Sequence, residues 1–453
     1  MWNEDGAGTE YMILYYVILL FSAVPNQTWV GSDVAGITFI KIAGAVCAVY
    51  AIFRLTTRKS PAGFLATWPA RLFIVVFLIA LNSFLFKDVG ANIKTNAISN
   101  YLSILFLFFI TLSVIDSRVR LRMSLFSLMG GLGLASLYTI REWQGAGFSY
   151  YRPGYVAGDS NIYAAAALLT LPLTYYLARE KASPLAGIFC WGCLGLTMLG
   201  FVGASSRGGF VGLCLAVTYM LIRSERRLNL VMLTGLMIIV MLSAPISPLQ
   251  RLLHPNGSDN GSAEVHKGLW AAGLDMVRQN PFWGIGLGNF KPKIAELGLK
   301  DISGAEQSGY VAHNSYLEYA AELGIPALVI FLGILGSTFL VLERVRKHAV
   351  ERDDTFLKQA ALGLQAGLIG FAASAFFFSA EYEKPFWLVV FISCSMPPLI
   401  LAERAYEKTA HEIGNTHSEP GFAFGVAHKP NASSIRRGSE PNLARHEVNE
   451  RSC

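Results

Sequence analysis

The chain has 453 residues, of which 53 % are hydrophobic and only 15 % charged, against about 25 % charged in an ordinary soluble domain. A mean hydropathy of +0.43 leaves too little polar surface to face water, which excludes a cytosolic enzyme. The net charge of +6 is too slight for a polyanion groove, which excludes a nucleic-acid binder.

The fold class that remains is all-α, a polytopic bundle of membrane-spanning helices. A spanning helix needs about 20 mostly apolar residues. About twelve such runs occur, with approximate limits 11–26, 34–53, 66–86, 97–115, 121–140, 161–178, 184–204, 208–222, 228–247, 323–342, 357–379 and 385–402. The first follows Glu4, Asp5 and Glu10 and lacks a basic leader, so a retained helix is expected and not a cleaved signal peptide. Lys and Arg collect in alternate connections, fifteen after even-numbered spans against six in the short odd-numbered ones. Cytoplasmic loops carry that excess, so both termini are expected on the cytoplasmic side. Most of the six cysteines lie in apolar runs, where no disulfide framework is expected, and Cys190-Trp-Gly-Cys193 reads as packing inside a span.

The outer face holds the residues with chemical promise. Arg152, in Tyr151-Arg-Pro-Gly154 ahead of Asp159-Ser-Asn161, is a loop cation able to help bind an anion. Arg207 sits in Gly203-Ala-Ser-Ser-Arg-Gly-Gly-Phe210, a very short turn between two spans. A cation at that depth is costly unless paired, and the flanking glycines would let backbone N–H groups approach an anion. Phosphate or diphosphate binding is the preferred reading; an anchor that snorkels to lipid head groups is the alternative.

Next comes one long connection, 248–312, expected to be a periplasmic loop. Within it Val265, Leu269, Ala272 and Met276 share a face, which predicts an amphipathic helix over Val265 to Val277, ended by Asn280-Pro281 and lying on the membrane surface beneath a turn-rich lid. Gly284-Ile-Gly-Leu-Gly288 has no preceding strand and the wrong spacing for a dinucleotide site. Of the eight histidines, only His254, His266 and His313 fall on the outer side. Ser315-x-x-Glu318 has the pattern of a capping box, so a helix is expected to begin near Tyr316 and stop at Gly324, with Glu318 structural. His313 would then precede a helix N-terminus, whose partial positive charge favours the neutral imidazole that a general base requires; a polar residue that only caps is the alternative. Residues 1–403 are thus expected to form one transmembrane domain, and 404–453, polar throughout, a disordered cytoplasmic tail.

Four segments, in order, resemble the O-antigen ligase and polymerase superfamily of bacterial envelope glycosyltransferases. They are Arg152-Pro-Gly with Asn161; Ser205-Ser-Arg207-Gly; Trp270 with Asn280-Pro-Phe-Trp-Gly-Ile-Gly-Leu-Gly-Asn-Phe290; and His313-Asn-Ser followed by Gly324. The resemblance implies an inner-membrane enzyme that moves a glycan from undecaprenyl diphosphate to an acceptor hydroxyl at the periplasmic face, without metal, cofactor or nucleotide. Lipid A-core or another glycan would be the acceptor. It further implies Arg207 at the carrier diphosphate and His313 activating the acceptor; Arg152, Lys267, His266 and Asn314 are the residues expected to bind substrate beside them. One departure is clear: the family commonly has a second Arg four residues before the loop Trp, where this chain has His266 with Lys267 beside it. Polymerisation of carrier-linked repeats, or transfer to a protein acceptor, would use the same site. A transporter or flippase belongs to another class and would show repeat halves and ionisable groups at the midplane.

Overall fold

The computed structural model describes residues 6–21, 65–87, 91–148, 160–180, 183–223, 257–298, 310–379 and 382–416, with isolated helical positions at 44–51 and 227–235. Among these residues every regular element is an α-helix: α1 (Gly6–Phe21), α2 (Trp68–Phe86), α3 (Ala91–Val114), α4 (Arg118–Gly145), α5 (Ser160–Ala178), α6 (Pro184–Ala204), α7 (Arg207–Arg223), α8 (Gly257–Gln279), α9 (Phe290–Glu296), α10 (Ser315–Leu323), α11 (Ile325–Glu351), α12 (Thr355–Ser374) and α13 (Lys384–Thr416). Eight of them, α2–α6 and α11–α13, contain stretches long and apolar enough to cross a membrane, and the fold is a polytopic helical bundle. Helices α1 and α7, with 16 and 17 residues, stand where two further spans are expected. The expected spans 34–53 and 228–247 lie outside the described residues, apart from the isolated positions.

The centre of the bundle is α5, packed against α6, α7 and α12. Its Tyr163-Ala-Ala-Ala-Ala167 run is buried throughout, and small side chains let neighbouring backbones close in, the usual currency of helix packing in lipid. Helix α12 answers with glycines: a Cβ on Gly363 would lie 2.5 Å from Leu173 Cα, and one on Gly367 2.6 Å from the Leu169 carbonyl oxygen. A second nucleus is aromatic. Phe73 of α2, Phe108 of α3 and Trp387 and Phe391 of α13 meet with ring centroids 4.9–5.9 Å apart, mostly in tilted or edge-on arrangements that suit the ring quadrupoles.

Helix ends follow caps and charges. Ser117 and Ser183 accept from Arg120 N and Ala186 N to start α4 and α6. At one end of the bundle the guanidinium of Arg118 spans Glu403, at 2.6 and 2.9 Å, and Asp354, tying α4 to α12 and α13. Several helices outrun the apolar segments that define them, because basic side chains let a helix continue past the hydrocarbon edge: α4 reaches from Arg118 to Gly145 where 121–140 is expected, and α11 continues to Glu351. The backbone from Ala405 is helical to Thr416, beyond the boundary at 404.

Candidate active site

Two helices of the long connection and the helix that follows it form a small unit of their own. Leu269 and Met276 of α8, Phe290 and Ile294 of α9, and Ala312 and Ala321 beside and within α10 are buried together. The α8 face expected to rest on the membrane is therefore covered by protein. The helix is also longer at its start than expected, running from Gly257. Trp270 Nε1 donates to the Ala312 carbonyl oxygen at 3.1 Å, and a Cβ on Gly273 would lie 2.9 Å from Leu317 Cδ2, so α8 and the start of α10 are in close contact.

The glycine-rich segment is a clasp. Gly284, Gly286 and Gly288 all have positive φ, the region only glycine enters without cost. The turns send Ile285 N to the Ala321 carbonyl oxygen at 2.8 Å and Gly286 N to that of Glu322 at 3.0 Å. Gly288 N and Phe290 N donate to the Glu322 carboxyl oxygens at 2.9 and 3.0 Å, and Leu287 N donates to Ser83 Oγ of α2 at 2.8 Å. Backbone donors that elsewhere cradle a phosphate here hold a carboxyl group of the same chain. Burial, and then the neighbouring Glu318, push Glu322 above the usual carboxylate range.

Helix α10 is capped one residue earlier than expected. Asn314 Oδ1 accepts from Tyr316 N and Leu317 N, both at 3.1 Å. Ser315 Oγ donates instead to the Phe378 carbonyl oxygen at 2.8 Å. Glu318 accepts from Ala312 N at 3.2 Å and from the Ser379 hydroxyl, so it is structural but does not close a capping box. The α6–α7 turn is as tightly made. Ser206 Oγ accepts from Gly209 N at 3.1 Å and donates to Asn161 Oδ1 at 2.8 Å. The glycines after Arg207 serve packing: a Cβ on Gly208 would lie 2.7 Å from Phe377 Cβ, and one on Gly209 2.8 Å from Ala164 Cβ. The space expected for an anion at those two residues is filled by side chains.

Among the described residues four non-glycines have positive φ, and two of them, Ser205 at 47° and His313 at 48°, hold the turns that present Arg207 and the His313 imidazole. Such a residue costs about 1–2 kcal/mol, and strain of this kind gathers at functional sites.

These turns meet. The rings of His266 and His313 have centroids 4.9 Å apart. The His266 pKa falls from 6.5 to about 4 through burial, then through the charges of His313 and Arg207. Arg207 stands at the first residue of α7 and His313 just before α10, so two helix N-termini add their positive ends to one locality. His266 is consequently uncharged at neutral pH and supplies no cation at that position. Lys267, next to it, is exposed. The Asn314 carboxamide oxygen is committed to the α10 cap. Arg152 and His254 lie outside the described residues. The Glu322 clasp leaves only one signal in the sequence, three glycines at alternate positions.

A pH effect follows from the His266 shift. Its folded pKa lies below the ordinary value, so the unfolded chain takes up a proton first, and stability is lost as pH falls from 6.5 towards about 4. Thermal unfolding across that window should show the wild type losing more than His266→Gln; equal losses would mean the imidazole is not held neutral.

Residues 192–332 match the family model described as O-antigen ligase. The matched stretch holds Arg207, His266, Lys267, His313 and Asn314, along with α8, α9, α10 and the Glu322 clasp. A comparison with curated proteins found no match.

Proposed function

We propose, from the O-antigen ligase domain that residues 192–332 form in this multi-pass membrane enzyme, that the protein transfers a glycan from undecaprenyl diphosphate to an acceptor hydroxyl at the periplasmic face. The acceptor is lipid A-core or a similar glycan. One observation carries this reading: the His313 imidazole packs against His266, which also lies within the field of Arg207, so a cation and a candidate base border one place.

The chemistry needs both. The acceptor oxygen attacks the anomeric carbon while its proton passes to the His313 imidazole. The bond from that carbon to the phosphate oxygen breaks, and its electron pair leaves with the polyprenyl diphosphate. Arg207 offsets the charge growing on the leaving group, and preorganised stabilisation of this kind is often the largest contribution to catalysis. The neutral His266 orients His313 or the incoming hydroxyl without competing for the proton. Displacement in one step inverts the anomeric centre.

Purified protein given a synthetic polyprenyl-diphosphate glycan should release polyprenyl diphosphate only when the right acceptor is present; acceptor-independent behaviour would remove the transferase reading. Envelope glycolipids of a deletion strain then identify the acceptor. Polymer missing from lipid A-core while carrier-linked polymer accumulates marks a ligase, and single repeats alone mark a polymerase.

A further inference from the structure

A second cationic feature lies at the opposite ends of the spanning helices. Helix α2 has Ser83, near its C-terminus, bonded to the glycine clasp, and α11 begins at Ile325, whose N–H donates to the Pro281 carbonyl oxygen at 2.7 Å. The other ends of these two helices, with α13, enclose a cavity of about 450 Å³, within the range of small-ligand sites. Its lining includes Arg71, Arg344, His348 and Arg404, and no acidic residue among the described ones. Pro397 of α13 also lines it, at the point where two consecutive prolines deprive that helix of two backbone hydrogen bonds.

Three of the acids close by are already engaged, and Glu351, whose charge reaches His348, lies outside the lining. Glu343 is paired with Arg346 at 2.7 Å and Arg223 at 3.6 Å, and Glu403 and Asp354 are taken by Arg118. Arg404 donates to His348 Nδ1 at 2.5 Å, and Arg71 lies over Trp68, 5.2 Å from the ring centroid. Arg344 is exposed and pairs with no carboxylate among the described residues. The cavity therefore gathers basic side chains with no acidic residue among its described lining.

Its rim is apolar on the outer side. Leu340, Leu401 and Trp68 are 57 %, 58 % and 60 % exposed, on helices that cross the membrane. A free anion gains nothing from such a rim, whereas a lipid fills both parts, phosphate among the guanidinium groups and acyl chains along the apolar surface. We propose that this cavity binds the phosphate head group of an anionic membrane lipid, at the membrane face opposite the candidate active site. Basic pockets between spanning helices recognise such head groups by charge and shape.

The test is native mass spectrometry of the full chain in detergent, titrated with phosphatidylglycerol, phosphatidylcholine or inorganic phosphate. Phosphatidylglycerol should be retained over phosphatidylcholine. Arg344→Gln should weaken that retention on the order of fivefold, and Arg344→Gln with Arg404→Gln on the order of twenty-five-fold, from the contribution of each basic residue near an anionic head group. The corresponding lysine variants should restore most of it. Arg344→Gln touches an exposed side chain, and an unchanged thermal melt verifies its fold. Equal retention of both lipids, or undiminished retention by the double variant, overturns the proposal. Displacement of phosphatidylglycerol by equimolar inorganic phosphate would overturn the lipid as the source of the anion. Transferase assays are not involved, so failure here leaves the reading of the candidate active site untouched.

Discussion

Replacing Arg207 by alanine is expected to lower acceptor-dependent release of polyprenyl diphosphate by about 10²–10³-fold, the usual consequence of deleting one preorganised charge-stabilising donor. Replacing His313 should cost about 10²–10⁴-fold, the range for a positioned general base. Neither change should dismantle the turn that carries it. The start of α7 is capped by Ser206 and that of α10 by Asn314, so both caps survive. His313 has φ of 48°, a conformation alanine resists and asparagine accepts, which makes His313→Asn the cleaner variant. Arg207→Lys should recover only part of the loss, because an ammonium cannot form the two-pronged bond that a guanidinium makes to phosphate oxygens. The double variant should fall little further than the worse single one, as expected of groups acting on one transition state. Normal turnover by folded Arg207→Ala and His313→Asn proteins would remove both residues from the chemistry.

Hydropathy made the spanning helices legible, since bilayer thickness sets their length. Ten expected spans have helices among the described residues. The short-range signals were less decisive, and in each instance a partner distant in sequence made the choice. Asn314 and Ser315 are both competent caps; what selects Asn314 is that the Ser315 hydroxyl is drawn to the Phe378 carbonyl oxygen in the connection after α12. Apolar periodicity told that α8 has one buried face but not what buries it, and the cover proves to be α9 and α10. The glycines following Arg207 suggested space for an anion, yet small residues in a membrane bundle more often admit a neighbouring helix, and Phe377 and Ala164 take that space. Arg207, His266 and His313 could be named singly from the sequence. That His266 and His313 stand side by side depends on how α8 packs against α10, which no local pattern encodes.

Truncation of Glu322 to alanine should be the most destabilising single change in the unit formed by α8, α9 and α10. Its carboxyl group accepts from Gly288 N, Phe290 N and the Tyr382 hydroxyl, the last at 3.3 Å. Removing it strands two backbone donors, of which Phe290 N is fully buried, at about 1–3 kcal/mol each. Relief of burying a carboxyl beside Glu318 returns part of this, leaving a net loss on the order of 2–3 kcal/mol. Because Phe290 and Ile294 share a core with Leu269 and Met276, release of α9 should loosen α8 and with it His266. Amide exchange should therefore accelerate over residues 284–296, and transferase activity should fall even though Glu322 touches no substrate. The pH dependence has a definite sign. The carboxyl is held above its ordinary value of 4.5, so the unfolded chain gives up its proton first, and this group's contribution is present at low pH and lost as pH rises past the ordinary carboxylate range. Glu322→Gln, which keeps one acceptor and cannot ionise, should flatten that loss while retaining part of the clasp. Protection of the Gly288 and Phe290 amides in Glu322→Ala at the level of the wild type would show that the loop is held by something other than this carboxyl group.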